Sequence, residues 1–375
     1  MDILVAMRIC SLIACFATSL AAAPLLSAAG PAFAQGALHV YNWTDYTVEG
    51  QNKAFEKATG IKLKVTTYNT NEILDAKLRV GQWGYDVVVP SATPFFVQQI
   101  RAGLFHKLDR SKLRNWGNLD PEILAALAGW DPGNAHGIPF TWGTIGTGYN
   151  VAEVKKRMAD APVDSLRMIF DPAVVSKFKD CGVMLLDSPS DVFPAALKYL
   201  GLNPDSKEPK DLKRAADAVR AIHPYVAKYE SLEYIFALGD GEACLVHGFA
   251  GGVYQARERA AKADKTREIA YVTPREGSQF WIDVAAIPKD APNPDNAHRY
   301  LDFLMDPAVA ARSIEETGYA FANKAAMGLL RKETLENPVI FPPRDVRAKF
   351  YTISAGTAEQ ERDIDRLWAA IKRGR

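Results

Sequence analysis

A run of aromatic and polar residues, Tyr41-Asn-Trp-Thr-Asp-Tyr46, follows the first strand pattern of the chain and precedes the first helical one. In open α/β sheets, ligands bind at the carboxyl ends of strands, which is where this run lies. Aromatic rings attract cations and a carboxylate pairs with them, so the run suits a positively charged ligand. From this run alone, Asp45 or Thr44 as a helix cap and Trp43 as a core residue are equally good interpretations.

Comparable polar groups follow or lie on three further strand patterns. Ser91 follows one of them, Asp187 and Asp191 follow a second, and Trp281 and Asp283 lie on a third. The last two are two residues apart, so the ring and the carboxylate point to the same face of the strand. A carboxylate at a strand end is desolvated unfavourably unless it meets a cation or hydrogen-bond donors. Together the groups predict a pocket for an ammonium group carried on an apolar chain.

Strand patterns alternate with helical patterns through most of the chain, which is the rhythm of α/β layers. The spacing predicts a helix over residues 48–59 that Gly60 ends, and a following helix that Asn71 caps. A further set of strands and helices begins near Gly148. The fold class predicted from this pattern is α/β with a second lobe built like the first.

Two other patterns predict structure alone. Gly143-Thr-Ile-Gly-Thr-Gly148 has its glycines at the wrong intervals for a dinucleotide-binding loop, so we expect a flexible crossover between lobes. Near the C-terminus, Ile364, Leu367, Trp368 and Ile371 repeat at helical spacing and predict a packing face.

Motifs of hydrolases, metalloenzymes and nucleotide-binding enzymes are not found. The sequence has no His-Glu-x-x-His, no Gly-x-Ser-x-Gly and no Walker loop. The histidines are scattered and the cysteines have no second ligand at metal-binding spacing, so we expect no metal and no cofactor. Lys plus Arg number 45 and Asp plus Glu 44, a net charge of +1, which provides no overall field for nucleic acid. We therefore expect no nucleic-acid partner.

The N-terminus carries an apolar stretch over residues 9–29 and then a small-x-small cleavage pattern ending at Ala34. This pattern predicts a signal peptide over residues 1–34, which leaves 341 residues to act outside the cytoplasm. A membrane anchor is the alternative. Export is favoured because Ser, Gly and Pro interrupt the stretch and no charged cluster follows it. The chain starts at Met1 or at Met7.

Two of the four cysteines fall in the predicted signal, which leaves Cys181 and Cys244 as a pair in an oxidising compartment. Each stands at an apolar segment, so we expect them on neighbouring strands and favour a disulfide between them. Two buried free thiols are the alternative.

At this point the sequence resembles the periplasmic solute-binding proteins of ABC polyamine importers, and among them the putrescine-binding branch. The resemblance covers essentially the whole mature chain. It rests on seven stretches: Val40-Tyr-Asn-Trp-Thr-Asp-Tyr46, Val88-Val-Pro-Ser91, Gly148-Tyr-Asn150, Ala161-Pro-Val-Asp-Ser165, Cys181-Gly-Val183, Asn323-Lys-Ala-Ala326 and Pro342-Pro-Arg-Asp-Val-Arg-Ala-Lys349.

The resemblance implies the type II periplasmic binding protein fold, in which two α/β lobes joined by crossing strands close on a ligand in the cleft between them. We assign residues 35–142 and 276–306 to the N-terminal lobe and residues 143–275 and 307–375 to the C-terminal lobe. The family also carries a disulfide at the positions of Cys181 and Cys244.

The resemblance further implies ten ligand-binding residues. Asp283 is the expected direct partner of one ammonium group, and Trp43 and Trp281 are expected to flank the methylene chain. The full set is Trp43, Thr44, Asp45, Tyr46, Ser91, Asp191, Phe249, Trp281, Asp283 and Tyr319.

The chain departs from the putrescine binders it resembles at three positions. Gly252 stands where they have Asp, Phe249 where they have Trp, and Asp191 where they have Glu, whereas Thr44 and Trp281 are more similar to the spermidine-binding branch. We therefore expect Gly252 to open space, to remove one charge and to decide which amine is preferred.

The predicted function is capture of putrescine or spermidine and delivery to the permease subunits of an ABC importer in the inner membrane, by a monomer that performs no chemistry. One alternative is another cationic solute such as agmatine. A second is a secreted enzyme that uses Asp191 and Asp283 as an acid and base pair.

Overall fold

The computed structural model describes residues 36–374, so the predicted signal peptide lies outside the described residues. Ten strands within this range join in one sheet, in the order β2-β1-β3-β9-β4-β7-β5-β6, and β8 and β10 both pair with β4. The strands are β1 (Leu38–Trp43), β2 (Leu63–Tyr68), β3 (Val87–Val88), β4 (Gly137–Asn150), β5 (Val183–Leu185), β6 (Lys228–Tyr229), β7 (Leu245–Phe249), β8 (Ile269–Val272), β9 (Phe280–Ala286) and β10 (Ala320–Phe321).

Sixteen α-helices lie between and after these strands in the described range. They are α1 (Gln51–Thr59), α2 (Asn71–Val80), α3 (Val97–Arg101), α4 (Pro121–Leu127), α5 (Val151–Arg157), α6 (Arg167–Phe170), α7 (Pro172–Val175), α8 (Pro189–Tyr199), α9 (Pro209–Ile222), α10 (Glu233–Asp240), α11 (Ala250–Ala263), α12 (Pro294–Leu304), α13 (Pro307–Thr317), α14 (Lys332–Leu335), α15 (Arg344–Arg347) and α16 (Ala358–Lys372). None of the helices in residues 36–374 is long and apolar enough to cross a membrane.

The sheet has a parallel group of strands at each end and antiparallel strands in the middle. β1 pairs in parallel with β2 and β3, and β5 pairs in parallel with β6 and β7. β4 and β9 run antiparallel between these groups, and β4 joins them because β9 and β10 pair with its first half while β7 and β8 pair with its second half. This is the predicted α/β class with two lobes connected by crossing strands. The residue bounds of the lobes stay a prediction.

The glycine-rich run of the crossover is part of a strand rather than a flexible loop. Gly143 and Gly148 both lie within β4, which is buried along nearly its whole length. Gly143 stands directly opposite Trp281 of β9, and a β-carbon at Gly143 would lie 2.6 Å from Cζ2 of that ring. Glycine is needed here because the ring packs against the backbone of β4, not because the chain must bend.

Local signals placed the first two helices with two errors, since α1 begins at Gln51 rather than at residue 48 and the cap of α2 is not the predicted one. Gly60 ends α1 in the left-handed conformation, with φ of 72°, as predicted. Asn71 does not cap α2, because the cap is Thr70, whose side chain accepts a hydrogen bond from the backbone N–H of Ile73. Asn71 is the first helical residue, and its side chain is therefore free to reach Ser91 instead.

The C-terminal packing face forms as predicted and also accounts for Asp187. Ile364, Trp368 and Ile371 of α16 are buried. The carboxylate of Asp187 accepts hydrogen bonds from Nε1 of Trp368 at 2.8 Å and from Nζ of Lys372 at 2.7 Å. Asp187 thus fastens α16 to the end of β5 and is not available to a ligand.

Cys181 and Cys244 form a disulfide with a Cα–Cα distance of 5.5 Å. Each lies just before a strand rather than on it: Cys181 precedes β5 and Cys244 precedes β7. These strands pair in parallel with Val183 opposite Leu245, which brings the two cysteines together. The predicted bridge is confirmed, and it links the starts of two neighbouring strands.

We expect the exported protein to contain no alkylatable thiol and to lose stability on reduction. The bridge spans 63 residues, and closing a loop of that size stabilises the folded state by about 4 kcal/mol in the chain-entropy model. Urea unfolding of the oxidised protein and of the Cys181→Ser/Cys244→Ser variant measures the difference. Equal midpoints, or two free thiols in the mass spectrum of the unreduced protein, would contradict the prediction.

Candidate ligand-binding site

A cavity lies where the carboxyl ends of β1 and β3 meet β9 and the first turn of α8. The lining combines three carboxylates with aromatic rings and contains no Lys, Arg or His. Fifteen residues form it: Trp43, Asp45, Tyr46, Asn71, Ser91, Thr93, Pro94, Phe95, Ser190, Asp191, Phe249, Gln279, Trp281, Asp283 and Tyr319.

The structure brings nine of the ten predicted site residues to this cavity and leaves one out. Thr44 is absent from the lining because its hydroxyl turns away, toward the end of β2. It lies 2.8 Å from Oδ1 of Asn69 and 3.2 Å from the backbone oxygen of Tyr68. Thr44 can therefore support the loop after β1 and does not line this cavity.

Six lining residues were not predicted from the sequence: Asn71, Thr93, Pro94, Phe95, Ser190 and Gln279. Asn71 was interpreted as a helix cap. Gln279 is two residues before Trp281 and four before Asp283, so the alternation of side chains along a strand could have placed it on the same face. Thr93, Pro94 and Phe95 carried no signal in the sequence that distinguished them from an ordinary turn.

Asp283 is the most deeply held of the three carboxylates, with only 3% of its surface exposed. Its Oδ1 accepts a hydrogen bond from Oγ of Ser91 at 2.6 Å, and its Oδ2 accepts one from Oη of Tyr46 at 2.5 Å. Asn71 fixes Ser91 in turn, and Thr141 donates to Oη of Tyr46 at 2.9 Å. Every one of these donors is a neutral group, so the buried charge of Asp283 has no counter-ion in the described residues.

The other two carboxylates are also held by neutral groups. Oδ2 of Asp45 accepts a hydrogen bond from Oη of Tyr319 at 2.6 Å. Oδ1 of Asp191 accepts one from Nε2 of Gln279 at 3.1 Å. Asp191 is in the first turn of α8, where the helix dipole favours negative charge, but this does not replace a cation.

Burial without a counter-ion raises the pKa values of all three carboxylates. The pKa of Asp283 rises to about 7, chiefly through desolvation and with a smaller contribution from the charges of Asp45 and Asp191. Desolvation likewise raises the pKa of Asp191 to about 6, and it raises the pKa of Asp45. The hydrogen bonds from Ser91, Tyr46, Tyr319 and Gln279 lower these pKa values but do not offset the loss of solvent.

Aromatic rings form the rest of the enclosure. The Trp281 ring packs edge-to-face against Phe249 and Tyr319, with ring centroids 5.9 Å and 5.7 Å apart. Trp43 is fixed because its Nε1 donates to the backbone oxygen of Val89 at 2.9 Å. Their ring faces and the carboxylates suit a ligand with an apolar chain and positive ends.

Two buried polar atoms of the lining have no hydrogen-bond partner in the described residues, Oε1 of Gln279 and Nε1 of Trp281. The first is an acceptor and the second a donor. No group of His, Cys, Asp or Glu residues within residues 36–374 has a geometry that could hold a metal ion. A ligand that donates to Oε1 of Gln279 and accepts from Nε1 of Trp281 would satisfy both unpaired atoms.

Gly252 does not open space in the cavity, and this part of the sequence prediction is wrong. The residue is in α11, and a β-carbon there would lie 2.0 Å from Oη of Tyr234 and 2.8 Å from its Cζ. Tyr234 is buried and its Oη accepts a hydrogen bond from the backbone N–H of Phe249 at 3.2 Å. The space that a side chain would need at Gly252 is thus filled by a tyrosine that positions the neighbouring lining residue.

This fold and cavity define a solute-binding protein, and the family of bacterial extracellular solute-binding proteins matches residues 51–338. The chain belongs to this family. It is 44% identical over 339 residues to the putrescine-binding periplasmic protein SpuD of Pseudomonas aeruginosa. The aligned region covers 90% of this chain and 92% of that protein. It is 42% identical over 343 residues to the putrescine-binding periplasmic protein PotF of Escherichia coli, with 91% and 92% covered.

A solved structure shows the same likeness. The spermidine/putrescine ABC transporter substrate-binding protein PotD of Streptococcus pneumoniae superposes with a TM-score of 0.73 at 27% identity. The match covers 91% of this chain and 99% of that one. The resemblance inferred from the sequence motifs is confirmed, and with it the two-lobe fold with a cleft.

We expect the Asp283→Asn variant to gain stability over the ligand-free wild type as pH rises. The pKa of Asp283 is about 7 when folded and near 3.9 when unfolded, so the folded protein holds one more proton between these values. Wild-type stability from this group is therefore lost as pH rises from about 4 to about 7, by up to about 4 kcal/mol. Urea unfolding of both proteins at pH 4.5 and pH 8 measures the change in their difference. A difference independent of pH would show that Asp283 has an ordinary pKa.

We expect Gly252→Ala to destabilise the protein, although this change inside a helix usually stabilises by up to about 1 kcal/mol. The new methyl group would overlap Tyr234, and overpacking of this kind costs roughly 1 to 3 kcal/mol. In a Tyr234→Leu background the same change should cost less, since the overlapping atoms are gone. Gly328→Ala is the matched control, because a β-carbon there has no atom within 4 Å. Equal melting temperatures for Gly252→Ala and Gly328→Ala would refute the overlap.

Proposed function

We propose that the protein captures a polyamine, putrescine or spermidine, outside the cytoplasm and delivers it unchanged to an ABC importer. One observation carries this proposal: the buried carboxylate of Asp283 and the half-buried carboxylates of Asp45 and Asp191 are hydrogen-bonded only to neutral groups and face a cavity walled by aromatic rings. A buried carboxylate is strongly destabilised until a cation meets it. A polyamine supplies several ammonium groups on an apolar chain, which matches both parts of the lining.

The cavity supports a division of roles among the residues. Asp283 would receive one ammonium group directly, with Ser91 and Tyr46 holding its two oxygens in place. Trp43 and Trp281 would flank the methylene chain. The other lining residues named from the resemblance, Asp45, Asp191, Phe249 and Tyr319, would complete the enclosure, and Thr44 would act only through the loop that it supports.

The proposal extends to compartment and partners. Relatives of this chain bear names of periplasmic binding proteins, and we infer that residues 1–34 direct export and that the mature chain works in the periplasm. The permease subunits of the importer in the inner membrane would receive the ligand from it. We propose a monomer that needs no cofactor and binds no nucleic acid.

Two alternatives lead to different observations. Agmatine also has an ammonium end and an apolar chain, so a binding assay that includes it distinguishes it from putrescine and spermidine. An enzyme that uses Asp191 and Asp283 as acid and base would consume its ligand, whereas a binding protein returns it unchanged in stoichiometric amounts. The similar proteins are named for binding rather than catalysis, which supports the binding function.

We expect Asp283→Asn to weaken binding of the best polyamine about ten- to hundredfold. The change keeps the shape of the side chain and removes its charge, and a hydrogen bond to a charged group is worth roughly 1.5 to 3 kcal/mol. Calorimetric titration of residues 35–375 with putrescine, cadaverine, spermidine, spermine and agmatine at pH 8 gives the affinities. The pH is set above the raised pKa of Asp283 so that the wild-type carboxylate is ionised.

Asp160→Asn is the control for net charge, because Asp160 is exposed and outside the cavity. We expect it to bind as the wild type does. Unchanged affinity in Asp283→Asn would remove Asp283 from the site, and absence of heat with every amine would overturn polyamine binding itself.

A further inference from the structure

Gln279 presents an amide to the cavity in a defined orientation. The residue is 5% exposed and stands just before β9, in an extended bridge with Tyr351. Its Nε2 donates to Oδ1 of Asp191 at 3.1 Å, and its Oε1 is buried without a hydrogen-bond partner in the described residues. Its side chain therefore uses its donor on a neighbour and keeps its acceptor unused.

The orientation of the amide follows from chemistry. An ionised carboxylate only accepts hydrogen bonds, so the group that faces Asp191 must be the NH₂ and the carbonyl oxygen must point elsewhere. Both atoms belong to one planar amide, so the unpaired oxygen is adjacent to the nitrogen that Asp191 binds. A buried carbonyl oxygen without a hydrogen-bond donor is destabilising. A ligand that donates to Oε1 of Gln279 would remove this cost.

A carboxylate and a carbonyl oxygen that contact the same ligand group both accept hydrogen bonds. Together they favour one group with a positive charge and at least two N–H donors. A primary ammonium has three N–H donors. A primary amine that carries two added alkyl groups is tertiary and has one N–H when protonated, and a quaternary ammonium has none. Nε1 of Trp281, the other unpaired atom, is a donor and therefore cannot accept a hydrogen bond from an ammonium group.

We propose that Asp191 and Gln279 form a subsite for an unsubstituted primary ammonium end of the ligand, and that Gln279 is the residue that discriminates against N-alkylated ends. This inference rests on the proposed function and adds to it the chemistry of one ligand end. Asp191 supplies the negative charge, and the Gln279 carbonyl oxygen requires a second N–H donor on the same ammonium group. Asp283 lies four residues farther along the same strand face, with Trp281 between them, so the second ammonium group has its own partner.

The test compares putrescine with N,N,N′,N′-tetramethylputrescine. When protonated, this analogue has a single N–H at each end, so it presents the same alkylated group to the subsite in either orientation. The wild type should bind putrescine more tightly. Gln279→Met, which keeps the length of the side chain and removes both the acceptor and the donor to Asp191, should weaken putrescine about ten- to hundredfold more than it weakens tetramethylputrescine. Calorimetry at pH 8 gives both affinities, and the ratio between them is the readout.

The ratio separates positioning by hydrogen bonding from a purely structural role. If Gln279 only holds Asp191 in place, both ligands weaken by the same factor and the inference is overturned. Gln279→Glu keeps an acceptor and should keep the preference for putrescine, and loss of that preference would also overturn it. Should Gln279→Met not fold, Gln279→Glu and the wild-type ratio decide alone. Binding of putrescine by the wild type is measured in the same experiment, so failure of the subsite and failure of polyamine binding are told apart.

Discussion

Buried negative charge without a counter-ion is the constraint on which this structure depends. Asp45, Asp191 and Asp283 are each held by hydroxyl or amide donors, so their positions are fixed although their charges are not neutralised. Hydrogen bonds of this kind orient a carboxylate but do not restore its lost hydration. The unfavourable free energy is relieved by protonation at low pH or by cations that enter the cavity. The feature that destabilises the empty protein above the raised pKa values therefore provides much of the driving force for binding.

β9 organises this arrangement because it carries an amide, a ring and a carboxylate on one face. Gln279 precedes the strand, and Trp281 and Asp283 follow at intervals of two residues. The ring can lie flat against β4 only because Gly143 stands opposite it without a side chain. A glycine outside the cavity lining thus determines where an aromatic wall of the cavity stands.

Similarity to known proteins and the physical description of the cavity agree on its class but differ in what they say about Gly252. Comparison with the resembled putrescine binders suggested a vacant, uncharged corner. Instead, Tyr234 fills the space beside Gly252, and its Oη accepts a hydrogen bond from the backbone N–H of Phe249. A substitution at one position can be absorbed by a bulky residue far away in sequence, so ligand preference cannot be transferred from a single aligned residue.

The sequence by itself determined the α/β class, the cysteine pair and the lining residues at strand ends, because strand alternation, helix signals and cysteine count depend on neighbours along the chain. Phe249 and Tyr319 followed only from the family resemblance. Gly60 ends its helix and Trp281 shares a face with Asp283 for such local reasons. Only the tertiary structure decided that Thr44 faces away, that Asp187 serves α16, that Asn71 holds Ser91 and that Gln279 faces Asp191. Each of these pairs joins residues from different elements, and hydrogen bonding between distant segments leaves no periodic signal in the sequence.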